Sequence, residues 1–510
     1  MDGDKTPPAS QCSIDEAGDR QPPDPERHRA ERKLLRQLDT RLVPAIFVIY
    51  VMNYVNRTAI TAARLKGLEH DLGLSDIQYN VVLSTLFVTL SFGQLPSNMH
   101  YPSTNNINRP SIYISSCVIA WGLASALSGV TTNYGGMLAC RFFIGLPEAS
   151  FYPGAVYLLS CWYTKRELAF RSAILFSGLD IASAFGALVA AAILSHMEAT
   201  LGISGWRWLF IIEGCTTILL GLLVMWLLPD YPRNTRWIDD RESRLAQARL
   251  AEDAGEADQD TEADSNHFQG LRLAVADPLT WLFAFMIFSQ NLGRSVGQFF
   301  PTLAKTLGFS TTTTLLLTVP PWLLSAIICI LSAWHAGNNA RADKTGERFF
   351  HISVWIVAMM VGFIVSLCTM SVGARYFSMF LMAIGDAGRT RIAMTLVWVS
   401  NSVPRPPAKR AAAIGIANGI GNLGTLAGTF AWKNKWGPRY APSFEISVAA
   451  LAVSTAVALV IRQRLVCINR QLDAGAAAET NEERVKKAAH LEGITIQQAL
   501  EKRKGFRYLY

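Results

Sequence analysis

Apolar windows of about 20 residues recur along this chain, the length a helix needs to cross the hydrocarbon core of a bilayer. They constrain the fold more than any other feature. Inside lipid, backbone N–H and C=O groups must be satisfied internally, which leaves helices or closed barrels. The windows are 41–61, 79–99, 110–130, 135–159, 168–194 and 206–228, then 279–301, 314–334, 349–370, 376–400, 410–431 and 442–461. Charged residues make up 17% of the 510, against about 25% in ordinary soluble proteins. The expected fold is an all-α polytopic membrane protein with twelve transmembrane helices in two six-helix bundles.

Six windows, a break and six more give the organisation. Residues 1–40 are polar, acidic and Pro-rich; they read as a disordered cytosolic tail rather than a cleavable signal peptide. The first bundle spans 41–228 and the second 277–464. Between them, 229–276 is a partly helical Asp/Glu/Ala-rich cytosolic linker, and 465–510 a cytosolic C-tail. The net charge of +8 would suggest nucleic acid in a soluble protein. Here Lys and Arg cluster between windows, so the positive-inside rule explains them and nucleic acid is not an expected partner. Lys165 and Arg166, Arg341, Lys344 and Arg348, and Arg405, Lys409 and Arg410 put both termini in the cytoplasm; Lys433, Lys435 and Arg439 are an exception. The eight cysteines form no CxxC, so neither a metal cluster nor a disulfide framework is indicated. HExxH, a Ser/His/Asp set and a phosphate-cradling loop are missing from the windows, so neither enzymatic activity nor a cofactor is expected.

Two equal halves around a polar linker suit a transporter of parallel repeats, whose substrate site lies near mid-membrane between them. Charges inside spans are costly unless paired or facing a water-filled cavity, so they mark candidate sites. Tyr50, Asn53, Tyr54 and Arg57 share one face of the first span. A guanidinium beside hydroxyls and amides can hold a carboxylate by two parallel hydrogen bonds; the alternative is an Arg snorkelling to the interface. In RFFIGLPEASFYPG, Arg141 and Glu148 are seven residues apart on one face. Glu148 could load and release a proton, or form a structural ion pair with a neighbouring span. Asn291, Arg294 and Gln298 make a stripe on the seventh span. The tenth carries Asp386, Arg389 and Arg391; Asp386 and Arg389 can pair on one face. The eleventh aligns Asn418, Asn422, Thr425 and Thr429, and its spacings Gly415–Gly419 and Gly424–Gly428 permit close packing. Arg57, Arg141, Arg294, Arg389 and Arg391 against Asp180, Glu148, Glu213 and Asp386 leave a slight positive balance, which favours an organic anion.

The runs MNYVNRTAI, LKGLEHDLGLSDIQYNVVLS, QLPSNM, RFFIGLPEASFYPGAVYLLSCWY, GWRWLFIIEG, DPLTWLFAF, LLTVPPW, LVWVSNSVP, KRAAAIGIANGIGNLG and GPRYAPSF resemble the major facilitator superfamily. The closer resemblance is to its anion:cation symporter branch, the fungal allantoate and nicotinate permease-like group, over about Leu38 to Arg464. That resemblance implies twelve helices, alternating access and small organic anions, often moved with protons. It places Arg57, Arg141 and Glu148 at the family's charged positions and Asn422 at its eleventh-span Asn. The assigned substrate-binding set is Arg57, Asn53, Tyr54, Arg141, Arg294, Gln298, Arg389, Asn418 and Asn422, with Glu148 and Asp386 for proton coupling.

The departures bear on coupling and cargo. The family's first-span Asp is Asn56, which carries no proton. The loop HYPSTNNINRP lacks the basic cluster, and WHAGNNARADKTGER lacks the usual Ser-Asp-Arg, for which Asp343 with Arg341 or Lys344 could substitute. Arg294, Asp386, Arg389 and Arg391 stand where relatives are apolar or small, which reads as a retuned site. The leading expectation is a secondary-active carrier of a small carboxylate or vitamin-like anion, monomeric, in the plasma membrane. An exporter of a secondary metabolite or toxin and a non-transporting membrane sensor are the alternatives.

Overall fold

The computed structural model describes residues 25–103, 109–232, 234–255, 267–338, 349–387, 395, 398–403 and 407–473. Its first half comprises α1 (Pro25–Arg64), α2 (Leu68–Asp71), α3 (Asp76–Ser103), α4 (Pro110–Ser128), α5 (Tyr134–Ser160), α6 (Lys165–His196) and α7 (Gly205–Leu227). Two helices follow, α8 (Asp240–Gly255) and α9 (His267–Val275). In the second half come α10 (Pro278–Gly293), a 3-10 stretch at Arg294–Phe299, α11 (Phe300–Lys305) and α12 (Thr311–Asn338). Then come α13 (Phe349–Cys368), α14 (Val372–Ala387), α15 (Pro407–Thr429) and α16 (Ala441–Asp473). No strand occurs among the described residues. Helices or helix pairs thus stand at all twelve apolar windows. Among the described residues, six stretches are individually long and apolar enough to cross a membrane, Gly205–Leu227 and Ala441–Arg470 included.

Local chemistry sets the helix starts. Thr164 and Glu167 form a reciprocal capping box at α6. Asp277 caps α10 by accepting from the Leu279 N–H at 2.9 Å and also pairs with Lys409 near the start of α15, at 2.7 Å. At the end of α2, Asp71 accepts from the Trp206 indole and the Ser204 hydroxyl, both at 2.8 Å, which holds its carboxyl below the usual range.

The sequence boundaries need three corrections. α1 begins at Pro25, so residues 25–40 are helical rather than disordered. Leu34, Leu38 and Leu42, four residues apart, are fully buried in one cluster with Ala246 of α8 and bordered by Trp237 and Ile238. Lys33 pairs with Glu242 at 2.9 Å, and Arg41 lies over the Trp237 ring. A charged amphipathic stretch lacks the bulk hydropathy of a span, yet it buries an apolar stripe against a partner helix. At the other end α16 runs through Asp473, past the expected boundary at 464. The seventh window is not one helix. The chain tightens into the 3-10 stretch after Gly293, where a Cβ would lie 2.6 Å from Leu451, and resumes as α11 with Pro301 in its first turn. Residues 1–24 and 474–510 lie outside the described residues, as do Arg341, Asp343, Lys344, Arg389, Arg391 and Arg405.

The halves meet through α6 against α12 and α3 against α15, with the end of α1 against the 3-10 stretch and α11. One apolar cluster crosses between them: Ala59, Ile60, Ala62, Ala63, Tyr79, Leu83 and Leu194 of the first half join Phe299, Phe300, Leu315 and Trp322 of the second. All lie on the side away from the chain termini. On the termini side, Leu34 to Tyr50, Phe151, Leu158 and Leu179 form a cluster confined to the first half and α8. The molecule is therefore joined on the far side and separately cored on the near side. Far-side closure includes one polar link, the Asn434 backbone N–H donating to Asp76 Oδ2 at 3.0 Å. Asp76 is itself held by Arg64 at 3.0 Å.

The two glycine spacings of α15 do different work. At Gly424 a Cβ would lie 2.1 Å from the Phe288 carbonyl oxygen, and at Gly428 2.4 Å from Ser295 Cβ, so this pair seats α15 on α10 and the 3-10 stretch. Gly415 and Gly419 have nothing within 4 Å of a Cβ and front open space, so they are not a packing pair. Gly424→Ala should destabilise the protein by about 1–3 kcal/mol through overpacking, whereas Gly419→Ala should be neutral. Thermal unfolding of the detergent-solubilised protein checks this; equal midpoints for the two variants would contradict the assigned packing.

Candidate functional site

Among the described residues, each half carries one guanidinium–carboxylate pair between its first and fourth span. In the first half Arg57 Nε on α1 donates to Glu148 Oε2 on α5 at 2.8 Å. In the second, Arg294 Nε, at the start of the 3-10 stretch, donates to Asp386 Oδ1 on α14 at 2.8 Å, and Arg294 Nη2 donates to the Asp386 carbonyl at 3.1 Å. Glu148 and Asp386 both stand fourteen residues past the first residue of their helices, Tyr134 and Val372. At 1.5 Å per residue that is about 21 Å, near mid-membrane. The two pairs are thus equivalent under the repeat. They differ in access: the Arg57 side chain is 16% exposed and that of Arg294 7%.

Tyr50, Asn53, Tyr54 and Arg57 do share a region of α1. The Arg57 guanidinium lies 4.7 Å from the Tyr54 ring centroid, Tyr50 meets Tyr54 edge to face at 5.2 Å, and Asn53 is buried beside the Glu148 carboxyl. Arg57 does not snorkel, and it is not an isolated cation awaiting a ligand. Glu148 has its partner on a neighbouring span rather than in Arg141.

Arg141, 1% exposed, instead stacks near the Phe210 ring of α7 at 5.5 Å and feels the carboxyls of both Glu148 and Glu213. Its Nε and Nη2 are buried without a hydrogen-bond partner. Asn56 is fully buried; its amide donates to Thr217 Oγ1 on α7 at 2.9 Å, and that hydroxyl donates to the Glu213 carbonyl at 2.7 Å. Glu213, buried and with Oε2 unpartnered, was counted among intramembrane charges in the sequence but not assigned to the site. Thr217 one turn after it was the available signal.

The stripe Asn291–Arg294–Gln298 is broken up. Asn291 donates to the Gly421 carbonyl at 2.8 Å and so serves helix packing. In a 3-10 helix, residues four apart are turned about 120° from each other, so half-buried Gln298 leaves the face of Arg294. The partner of Asp386 is Arg294 on another helix, while Arg389 falls outside the described residues. On α15, half-buried Asn418 and Asn422 share the face of Gly415 and Gly419 that fronts open space. Thr429, by contrast, is buried at the far end, donating to the Leu426 carbonyl. Counting only described residues, three arginines stand against Asp180, Glu148, Glu213 and Asp386, so the expected positive surplus is not present among them. A cavity of about 30 Å³ on the far side is lined by Thr58, Thr61, Ser183, Gly297, Thr318 and Trp322 among others. Gly297 there lies against Asp386, its Cβ position 3.9 Å from Oδ2.

Comparison with known proteins fits this geometry. The chain is similar to the transporter cnsO of Penicillium expansum, 30% identical over 410 residues, covering 78% of this chain and 75% of the relative. It is 28% identical over 407 residues to a putative tartrate transporter of Agrobacterium vitis, covering 77% and 86%. Its fold matches an inward-facing, occupied bacterial homolog of the human lysosomal transporter Spinster, with TM-score 0.60, 16% identity and 82% and 96% coverage. It likewise matches a D-xylose-proton symporter with TM-score 0.59, 17% identity and 81% and 96% coverage. The family model described as Major Facilitator Superfamily matches residues 46–429, most of the chain, and this polytopic, non-enzymatic membrane transporter belongs to that superfamily.

Proposed function

We propose that the protein is a secondary-active carrier of a small organic anion bearing a carboxylate, working by alternating access and coupled to protons. The observation that carries this reading is the pair of repeat-related Arg–carboxylate bridges, with Arg57 partly exposed. A guanidinium held by a single Nε–H bond to Glu148 keeps its other N–H groups for a second carboxylate. An arriving anion competes with Glu148 for Arg57, and the negative charge then left uncompensated among the buried carboxyls of the first half is what draws a proton. Asn418 and Asn422 supply amide donors and acceptors from the opposite half. The putative tartrate transporter among the relatives supports a carboxylate cargo. A carrier runs in whichever direction the gradients drive, so export of an anionic metabolite uses the same site. Loop charges favour both termini in the cytoplasm, with the near-side separation of the cores then facing the cytosol. The same reading keeps 41–228 and 277–464 as the two moving bundles of a monomer in the plasma membrane.

The test is purified protein in liposomes, given a panel of labelled monocarboxylates, dicarboxylates and vitamins under an imposed pH step. Accumulation of an anion driven by the step supports the proposal; transport of only neutral or cationic solutes overturns it. Arg57→Ala should raise the half-saturation concentration about 10- to 100-fold, the worth of hydrogen bonds to a charged group, with membrane insertion unchanged. Unaltered uptake would remove Arg57 from the site. Asn56→Asp should steepen the rise of transport as external pH falls. Only a protonated Asp can reproduce the amide's donation to Thr217, so acid restores the bond and alkali breaks it. A profile no steeper than that of the parent protein would show that this position does not handle protons.

A further inference from the structure

The charges inside the first half form an alternating series: Arg57, Glu148, Arg141, Glu213. Arg57 and Arg141 both act on Glu148, whereas Glu213 feels Arg141 alone. α7 packs on α1, α4 and α6. Among the charged residues these helices bring are Arg57 and Arg64 from α1 and Asp180 from α6, while α4 brings no charged residue. None of them acts on the Glu213 carboxyl; the Arg141 guanidinium, reaching α7 from α5 over Phe210, does. Glu213 is 3% exposed, its Oε2 has no donor, and Arg141 Nε and Nη2 have no acceptor. Two buried groups of opposite charge thus act on each other electrostatically, without a hydrogen bond between them, and both keep hydrogen-bonding capacity unspent.

We propose that Glu213 is a proton-carrying carboxyl of the transport cycle, supplying the acid that position 56 lacks. The proposal rests on the reading of Arg57 as the anion anchor. With Arg57 on Glu148, two guanidiniums balance two carboxylates. When an anion takes Arg57, Arg141 is left to serve both Glu148 and Glu213. One guanidinium cannot compensate two carboxylates in a low-dielectric interior. The carboxylate with fewer counter-charges, Glu213, binds a proton from water and becomes a neutral acid; the only bond formed is O–H. Release of the anion returns Arg57 to Glu148 and Arg141 to Glu213, and the proton leaves. One proton accompanies each anionic charge. Asn56, tied through Thr217 to the turn that carries Glu213, is a positioning residue in this scheme rather than a proton site.

The test is infrared titration of the full-length protein in lipid bilayers, which needs no substrate. A protonated carboxyl shows a C=O stretch that a carboxylate lacks. A titrating band of this kind should disappear in Glu213→Gln and persist, displaced in frequency, in Glu213→Asp. Arg57→Gln, which withdraws from Glu148 the guanidinium a docking anion would take, should raise the proton affinity of the Glu213 band about tenfold or more, a shift of roughly one pKa unit. Arg57→Lys, which keeps the charge, should leave the titration near that of the parent. Spectra of Glu213→Gln identical to those of the parent, or a Glu213 band indifferent to Arg57→Gln, overturn the assignment. Anion flux in liposomes together with unchanged spectra defeats only the proton role. A Glu213 band in a protein that moves no anion of the panel defeats only the anion reading.

Discussion

A guanidinium and a carboxylate, taken together out of water, tie the first to the fourth span in each half of this molecule. Removing one partner of such a buried pair typically costs about 3–5 kcal/mol, because the other charge is left uncompensated. The Arg57–Glu148 and Arg294–Asp386 pairs therefore act as internal struts, and the helices that carry them can move only as a unit. The same chemistry makes the struts conditional. Under the proposed function, an anion that reaches Arg57 offers the guanidinium what its own acid offers, so stability and binding would draw on one set of hydrogen bonds.

The repeat does not make the halves identical. Arg294 gives two of its N–H groups to one residue, the Asp386 carboxylate and carbonyl, and is nearly enclosed. Arg57 gives one and stays partly open. The difference follows from the backbone: the 3-10 stretch turns Arg294 into α14, whereas α1 runs as an unbroken helix through Arg57. Behind Arg57 the first half also holds Arg141, with Nε and Nη2 lacking a hydrogen bond, and Glu213, with Oε2 lacking one, whereas in the described part of the second half no carboxylate oxygen is buried without a partner.

Much of this was legible in the sequence, and what was not has definite causes. Length and hydropathy located the spans, since a bilayer admits few backbone solutions. The residues of the first-half pair were also visible, because a charge in an apolar run is expensive enough to signal itself. Partners were not visible. Asp386 was assigned to a residue three positions away, whereas the structure shows it held by one 92 positions earlier. Helical spacing describes one helix, and the pairing is a property of two. The stripe through Gln298 failed because a period of 3.6 was applied to a segment that winds at about 3.0. Gly415–Gly419 and Gly424–Gly428 have the same spacing and opposite environments, a distinction set by the neighbour a glycine meets. Residues 25–40 were missed because their buried stripe of leucines is diluted by charge.

The distribution of cores indicates which contacts can be exchanged during transport. Far-side closure depends on an apolar cluster shared by the halves and on the Asn434 N–H to Asp76 bond. Apolar burial is non-directional and can be traded area for area at the opposite face. A single hydrogen bond from a backbone N–H to a carboxylate is worth about 1.5–3 kcal/mol net. The first is thus recovered at the opposite face, and the second is smaller than the cost of breaking a strut within a half. A rocking motion that parts the far side and joins the near side therefore preserves Arg57–Glu148 and Arg294–Asp386 unless a ligand intervenes. That ordering of energies is what a carrier requires: the halves must separate more easily than either comes apart, and only the cargo should reach the charges that hold them.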